Sequence, residues 1–276
     1  MDIPLVGPAL WITAQATDTM GTESLPVSVP VPPSLRVSLV KPRVHVIAVG
    51  TDVYDGHRIS PLHGAVADAK SFVSLVGQSK IYAKDKFAAP IVNSPKLKED
   101  LLQLIDLVAR SASDEDTTMI LISGYGMVED GRLFLATRTT QYNHVAATSI
   151  EWNAISTALA HIPGRLIVFL DTCHAGASEG SNDIATTSLL FQNSMVVTSA
   201  SKGRQVSNER QKEGMFTGAM SKMVKQNFRQ LDTNGNGAIE LDELYRALKV
   251  EVLTESGNTQ TPWIARNGLV GPVPIF

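Results

Sequence analysis

A chain of 276 residues, 43% hydrophobic and 18% charged, has enough apolar surface to bury a full core, which excludes a predominantly disordered protein. The formal charge of −3, with Lys and Arg scattered along the chain, excludes the basic footprint of a nucleic-acid binder. Cys173 is the single cysteine, so no internal disulfide argues for an oxidising compartment and a cytoplasmic location is expected.

No Lys or Arg precedes Arg36, so no secretory signal is expected, and no apolar run approaches the ~20 residues of a membrane-spanning helix. Pro26, Pro30, Pro32 and Pro33 mark the stretch from Leu25 to Leu35 as an extended tether, and residues 1–41 as an arm preceding the domain. RVHVIAVG (43–50) is then the first strand. The segment 62–77 predicts a helix with Leu62, Val66, Ala69, Val73 and Val76 on one face. Another helix opens with Ser94 as cap and Pro95 in its first turn, and repeats Leu97, Leu101, Leu104 and Val108.

TTMILIS (117–123) is a fully apolar strand, and RLFLATR (132–138) follows a turn at Asp130 and Gly131. A helix near 150–162, the strand RLIVFLDT (165–172), the strand SMVVTSAS (194–201) and a helix from Met215 to about Phe228 complete the pattern. Strands alternating with helical periods predict an α/β fold in which a parallel sheet is covered on both faces. Ligand sites in such sheets lie beyond the carboxyl ends of the strands, where SGYG (123–126) and DTCHAG (171–176) stand out.

Cys173 leaves a buried strand onto a glycine-rich turn, a position that presents a nucleophile beside backbone N–H groups able to bind an oxyanion. On position alone, an inert small core thiol is the commoner reading of a lone cysteine. DTNGNGAIELDE (232–243) has the spacing of a twelve-residue calcium loop: Asp232, Asn234 and Asn236, Gly237 at the sharp turn, the carbonyl of Ala238, then Glu240 and Glu243. Two readings of it stay open, a Ca2+ site and a rigid turn that holds no metal. Trp11 and Trp152 read as packing residues, Trp263 as a pin for the terminal segment, Met215, Met220 and Met223 as core filler, and the tail GPVPIF as an edge closure.

DTCHAG after one apolar strand, and an SG-x-G turn after another, resemble the caspase and metacaspase family, especially its bacterial orthocaspase-type members, where the motifs run close to SGHG and D-x-CH-[SA]-G. VIAVGTDVY and LHGAVADAK resemble that family's first strand and helix, and VVTSASKGRQVSNE, GMFTGAM and QTPWI its smaller subdomain. The resemblance spans residues 42–276. It implies a caspase-like three-layer sandwich with a mostly parallel six-stranded sheet, a large-subunit-like part over about 42–180 and a small-subunit-like part over about 190–276.

The resemblance further implies Cys173 as nucleophile, with the N–H groups of Cys173 and Gly126 as oxyanion hole. It implies Asp68, Ser123 and Asp171 as the lining of a pocket for the side chain before the scissile bond. Paired carboxylates there favour Arg or Lys, so a peptide or protein with a basic residue is the expected partner and a monomer the expected state. Maturation by cleavage at a basic residue is not expected, because none lies between Arg165 and Lys202.

The departure from the family is Tyr125, which stands where the motif has its histidine base. A thiol with the ordinary pKa of about 8.5 is only ~3% ionised at pH 7, and tyrosine, ordinarily near 10, is a poor proton acceptor. His174 adjoins the nucleophile, and His45, His57, His63, His144 and His161 have no motif support as substitutes. Two expectations follow. The chain is a cysteine endopeptidase impaired by Tyr125, or a silent pseudopeptidase that binds basic peptides or regulates a partner.

Overall fold

The computed structural model describes residues 11–20, 23–30, 42–83, 88–172, 194–198, 209–210, 213–267 and 273–276. The strands in chain order are β1 (Trp11–Ala14), β2 (Val27–Pro30), β3 (Val44–Gly50), β4 (Ile91–Val92), β5 (Thr117–Gly124), β6 (Gly126–Glu129), β7 (Arg132–Leu135), β8 (Ile150–Glu151), β9 (Arg165–Thr172), β10 (Ser194–Thr198), β11 (Glu209–Arg210), β12 (Glu213–Gly214) and β13 (Trp263–Asn267). The helices are α1 (Ala65–Gly77), α2 (Leu97–Ser111), α3 (Val145–Thr148), α4 (Trp152–Leu159), α5 (Met215–Gln226), α6 (Phe228–Leu231) and α7 (Leu241–Glu255).

Six strands form the central sheet in the order β13-β10-β9-β5-β3-β4. All neighbours are parallel except β10 and β13, which run antiparallel. Alternation along each strand divides the core in two. Val46, Met119, Leu121, Ile167 and Phe169 face a cluster with Phe72 and Leu75 of α1, Phe216 and Met220 of α5, and Leu244 and Leu248 of α7. Ile47, Ile120, Ile122, Val168 and Leu170 face the opposite layer, built from Leu101 and Ile105 of α2 and Ile155 and Leu159 of α4. This is the expected three-layer α/β sandwich, with both faces of a continuously apolar sheet covered. No helix among the described residues is long and apolar enough to cross a membrane.

Four details differ from the sequence expectations. The segment 132–138 does not enter the central sheet: β7 belongs to a separate antiparallel sheet, β6-β7-β8. Asp130 (φ 50°) and Gly131 (φ 71°) both occupy the left-handed region, which closes a tight hairpin between β6 and β7 and so precludes a crossover. The buried stripe of α1 is rotated from the one read off its valines, to Ala65, Asp68, Ala69, Phe72, Leu75 and Val76.

Ser94 acts one turn early: its Oγ accepts the N–H of Lys96 at 3.0 Å and its hydroxyl donates to Asp100, while α2 itself begins at Leu97. The tail does not close the sheet, a role taken by β13. Its described residues Val273–Phe276 ladder instead with Ile239 and Leu241, through Ile239 N–H to Phe276 O, Ile275 N–H to Ile239 O and Leu241 N–H to Val273 O. Within the arm, β1 pairs with β2 as a hairpin, and Trp11 Nε1 donates to Glu240 Oε1 at 3.1 Å.

At the amino end of the sheet, Asp116 accepts from Arg43 Nη2 at 2.7 Å, from the Ser113 N–H at 2.8 Å and from His45 Nε2 at 3.3 Å. Burial alone would raise this carboxyl, but these donors outweigh it and hold Asp116 below the usual carboxylate range. A depressed folded pKa gives stability that is complete above the unfolded value of about 3.9 and lost as pH falls through the folded value. Urea midpoints measured from pH 5 to pH 2.5 should therefore fall more steeply in wild type than in Asp116→Asn. Equal slopes would mean that the carboxylate contributes nothing to acid stability.

Candidate active site

The carboxyl ends of β3, β5 and β9 lie side by side, with Gly50 opposite Ser123 and Ser123 opposite Asp171. The rotation of α1 turns Asp68 inward over these ends. Ser123 Oγ donates to Asp68 Oδ2 at 2.9 Å, and the Gly214 N–H donates to Asp68 Oδ1 at 2.9 Å. Asp171 Oδ2 accepts from Thr217 Oγ1 at 2.7 Å and from the Thr217 N–H at 3.2 Å. Thr217 is the third residue of α5, so Asp171 caps that helix from across the fold, where a negative charge is favoured.

Asp68, Ser123 and Asp171, named from sequence as one pocket, are thus brought together and are 1%, 4% and 4% exposed. Gly214 and Thr217 complete the cluster and were not singled out in the sequence. Their signal lay in GMFTGAM, quoted only as a family likeness.

Tyr125 sits in the turn between β5 and β6. Its N–H donates to Tyr54 Oη at 3.0 Å, and that hydroxyl donates to Thr51 O at 2.8 Å. The ring lies 5.2 Å from that of Tyr54, in a small apolar cluster with Ile59, Leu62, Met127 and Ala136. The backbone at position 125 is therefore fixed by the hydroxyl of Tyr54, and the phenol is one side of a packed aromatic pair.

The neighbouring Gly126 is placed by the hairpin's register. In an antiparallel ladder, hydrogen-bonded and non-hydrogen-bonded pairs alternate. The Ala136 N–H donates to Tyr125 O at 2.9 Å, which makes 125/136 a bonded pair and the next one, Gly126 opposite Leu135, a non-bonded one. The Gly126 N–H therefore points away from β7, on the outer edge of its sheet. A buried N–H left out of its ladder is what an oxyanion donor requires.

Cys173 and His174 lie outside the described residues; Thr172, the last residue of β9, is fully buried. Of the remaining histidines, His45 bonds Asp116 near the amino end of β3, roughly 16 Å of strand from Gly50, and His161 Nδ1 contacts Thr157 O just before β9 begins. Both lie at the wrong end of the sheet. His57 and His63 belong to the segment joining β3 to α1, and His144 adjoins α3. That segment is tied to the chain after β7, since Arg138 Nε bonds Asp55 and Arg58 Nη1 donates to Asn143 Oδ1 at 3.3 Å.

The 232–243 loop is held largely by its own atoms. Asp232 accepts from the N–H groups of Asn236 and Gly237, Asn234 Oδ1 from Asn236 N–H, and Asn236 Oδ1 from the N–H of Ala238. Glu240 accepts from the side-chain amides of Asn234 and Asn236 and from Trp11. Glu243 accepts from Thr233 N–H at 2.8 Å, from Thr233 Oγ1 at 2.6 Å and from Glu240 N–H at 3.0 Å, which forms a capping box on α7. Burial and the adjacent Glu243 push Glu240 up. Glu243 is held low because its bonds from Glu240 and Thr233 outweigh burial. Among the described residues, no three His, Cys, Asp or Glu side chains gather as a metal-binding group.

A mostly parallel sheet between two helical layers, with a cysteine following its central strand and a glycine turn ending the neighbouring one, defines a caspase-like α/β architecture. The chain belongs to the caspase domain family, whose model matches residues 43–273. Similar solved structures include a protein from Geobacter sulfurreducens (15% identity, TM-score 0.60, covering 84% of this chain and 96% of that one). The initiator caspase Dronc of Drosophila aligns at 12% identity and TM-score 0.58, covering 86% of this chain and 84% of its own. Caspase-1 of Spodoptera frugiperda aligns at 14% identity and TM-score 0.58, covering 86% and 92% respectively. No curated protein matches the chain.

Proposed function

We propose that this caspase-family domain is an orthocaspase-type cysteine endopeptidase whose cleft takes a peptide with Arg or Lys before the scissile bond, and whose hydrolysis is impaired by Tyr125. The observation that carries the specificity is the convergence of Asp68, Asp171 and Ser123 at nearly complete burial. Two carboxylates in a low-dielectric site favour a cation over any neutral or acidic side chain. Catalysis would run by attack of the Cys173 thiolate on the scissile carbonyl, with the N–H groups of Gly126 and Cys173 receiving the oxyanion. The amine then leaves with a proton, which a histidine at 125 would relay and a tyrosine supplies poorly.

One observation favours the second reading, a pseudopeptidase that binds basic peptides. The Tyr125 ring is packed against Tyr54 and aliphatic neighbours, a setting that suits an aromatic packing residue. Labelling by an arginine chloromethyl ketone near pH 7 separates the two. Modification of Cys173 within minutes supports the peptidase, whereas labelling no faster than that of a free thiol supports the silent binder.

The 232–243 loop is read here as a joint that needs no metal, its acceptors being satisfied by the loop's own donors and by Trp11. Ca2+ and EDTA should then leave the thermal midpoint within about 1 °C, and Glu243→Gln should lower it equally in both, because an amide has one acceptor oxygen where Glu243 uses two, for Thr233 and for the Glu240 N–H. A rise of several degrees with Ca2+, abolished by that substitution, would make the loop a calcium site instead.

A further inference from the structure

We propose that Gly214 is the residue that determines whether the acidic pocket can form, because its missing side chain lets the carboxyl-terminal half of the fold close onto both carboxylates. This rests on the pocket reading above and adds to it a specificity-determining position on β12.

A Cβ built at position 214 would lie 2.6 Å from Asp68 Oδ2 and 2.8 Å from Asp171 Oδ2. Both are shorter than any van der Waals contact a carbon can make with oxygen, so a single methyl group would push against the two acids at once. The same residue's N–H donates to Asp68 Oδ1 at 2.9 Å. Gly214 therefore touches the acid pair in two ways, as a donor that fixes one carboxylate and as the only residue type small enough to stand between both.

Backbone freedom is not the reason for glycine here. Position 214 has φ −60° and ψ 141°, an extended conformation open to every L-residue. Replacement by alanine is consequently a test of space alone, without the strain that accompanies a positive φ. Three residues on, Thr217 bonds Asp171 through both its N–H and its hydroxyl, so β12 and the start of α5 register the second carboxylate as Gly214 registers the first. Asp68 of α1, Ser123 of β5 and Asp171 of β9 precede β10 in the chain, and Gly214 and Thr217 follow it. The pocket is thus built jointly by the two parts of the chain, and Gly214 stands where an added Cβ would meet both acids.

The test measures recognition in the Cys173→Ala background, where no cleavage intervenes. Fluorescence anisotropy compares a labelled peptide ending in arginine with the same peptide ending in citrulline, its neutral isostere. The parent protein should prefer arginine by at least about tenfold, and Gly214→Ala should reduce that preference to less than about twofold. General destabilisation would weaken both peptides alike and leave the ratio intact, so the ratio reports the pocket.

An unchanged preference in Gly214→Ala would overturn the role of Gly214 and leave the acidic pocket standing. No preference in the parent would bring down the pocket and this inference together. If Gly214→Ala does not fold, Asp68→Ala and Asp171→Ala are added together to remove both obstructing carboxylates. Recovery of a cooperative thermal transition supports the contact, and failure to recover refutes it.

Discussion

Tyr125→His is expected to raise cleavage of an arginine-ended reporter by ~10²–10⁴, the usual worth of one well-placed general acid–base group. The change supplies a group that holds the thiol of Cys173 ionised and then returns the proton to the departing amine. The backbone at 125 is already fixed, because the Tyr125 N–H is held by Tyr54 Oη and its carbonyl by the Ala136 N–H, so the new ring starts from a set position. The cost is the aromatic contact with Tyr54, about 0.5–1.5 kcal/mol beyond area burial, which a few degrees of thermal midpoint would register. Initial rates for wild type, Tyr125→His and Tyr125→His with Cys173→Ala decide the matter. A rate that stays at background in the histidine variant would refute the pairing of 125 with 173.

Asp68→Asn should have the second largest effect, and on two readouts. The amide keeps the size of the carboxylate but removes its charge and one acceptor. Asp68 accepts on both oxygens, from the Gly214 N–H and from Ser123 Oγ; the amide keeps the Gly214 N–H on its oxygen only by turning its NH2 to Ser123, whose hydroxyl then accepts instead of donating. Exchanging two charge-assisted bonds for neutral ones costs about 1–3 kcal/mol, measurable as a lower urea midpoint. The preference for arginine over citrulline should also fall by about tenfold or more as half of the pocket's charge disappears. A variant that loses stability but keeps the preference would confine Asp68 to a structural role.

The layers of this fold were legible because β3, β5 and β9 have unbroken apolar centres, Val46–Val49, Met119–Ile122 and Leu166–Leu170, and are too short for buried helices, a pattern that a sheet covered on both faces satisfies. The register that brings Ser123 beside Asp171 follows from those lengths. Asp68 was harder to place. The apolar residues of α1 suggested a stripe through Val66 and Val73, whereas the buried face follows Phe72 and Leu75, and Asp68, a polar residue that carries no weight in such a pattern, lies on it.

β7 was misassigned for a related reason, since RLFL has the composition of a core strand and only the left-handed Asp130–Gly131 turn marks it as one arm of a hairpin. Gly214 left no trace in periodicity at all. Its importance is a matter of which atoms stand opposite an absent side chain, and no linear pattern encodes that.

The loop at 232–243 is a meeting point of remote stretches of chain: Trp11 reaches Glu240 across 229 positions, while Val273–Phe276 run alongside Ile239 and Leu241. Its hydrophobic underside, Ile239, Leu241 and Leu244, shares one core with Phe216 and Met220 of the helix whose first turn holds Asp171. Three of the last four residues, Val273, Ile275 and Phe276, thus lie in the same packed layer as the helix that binds Asp171, and a cut there is expected to loosen that layer.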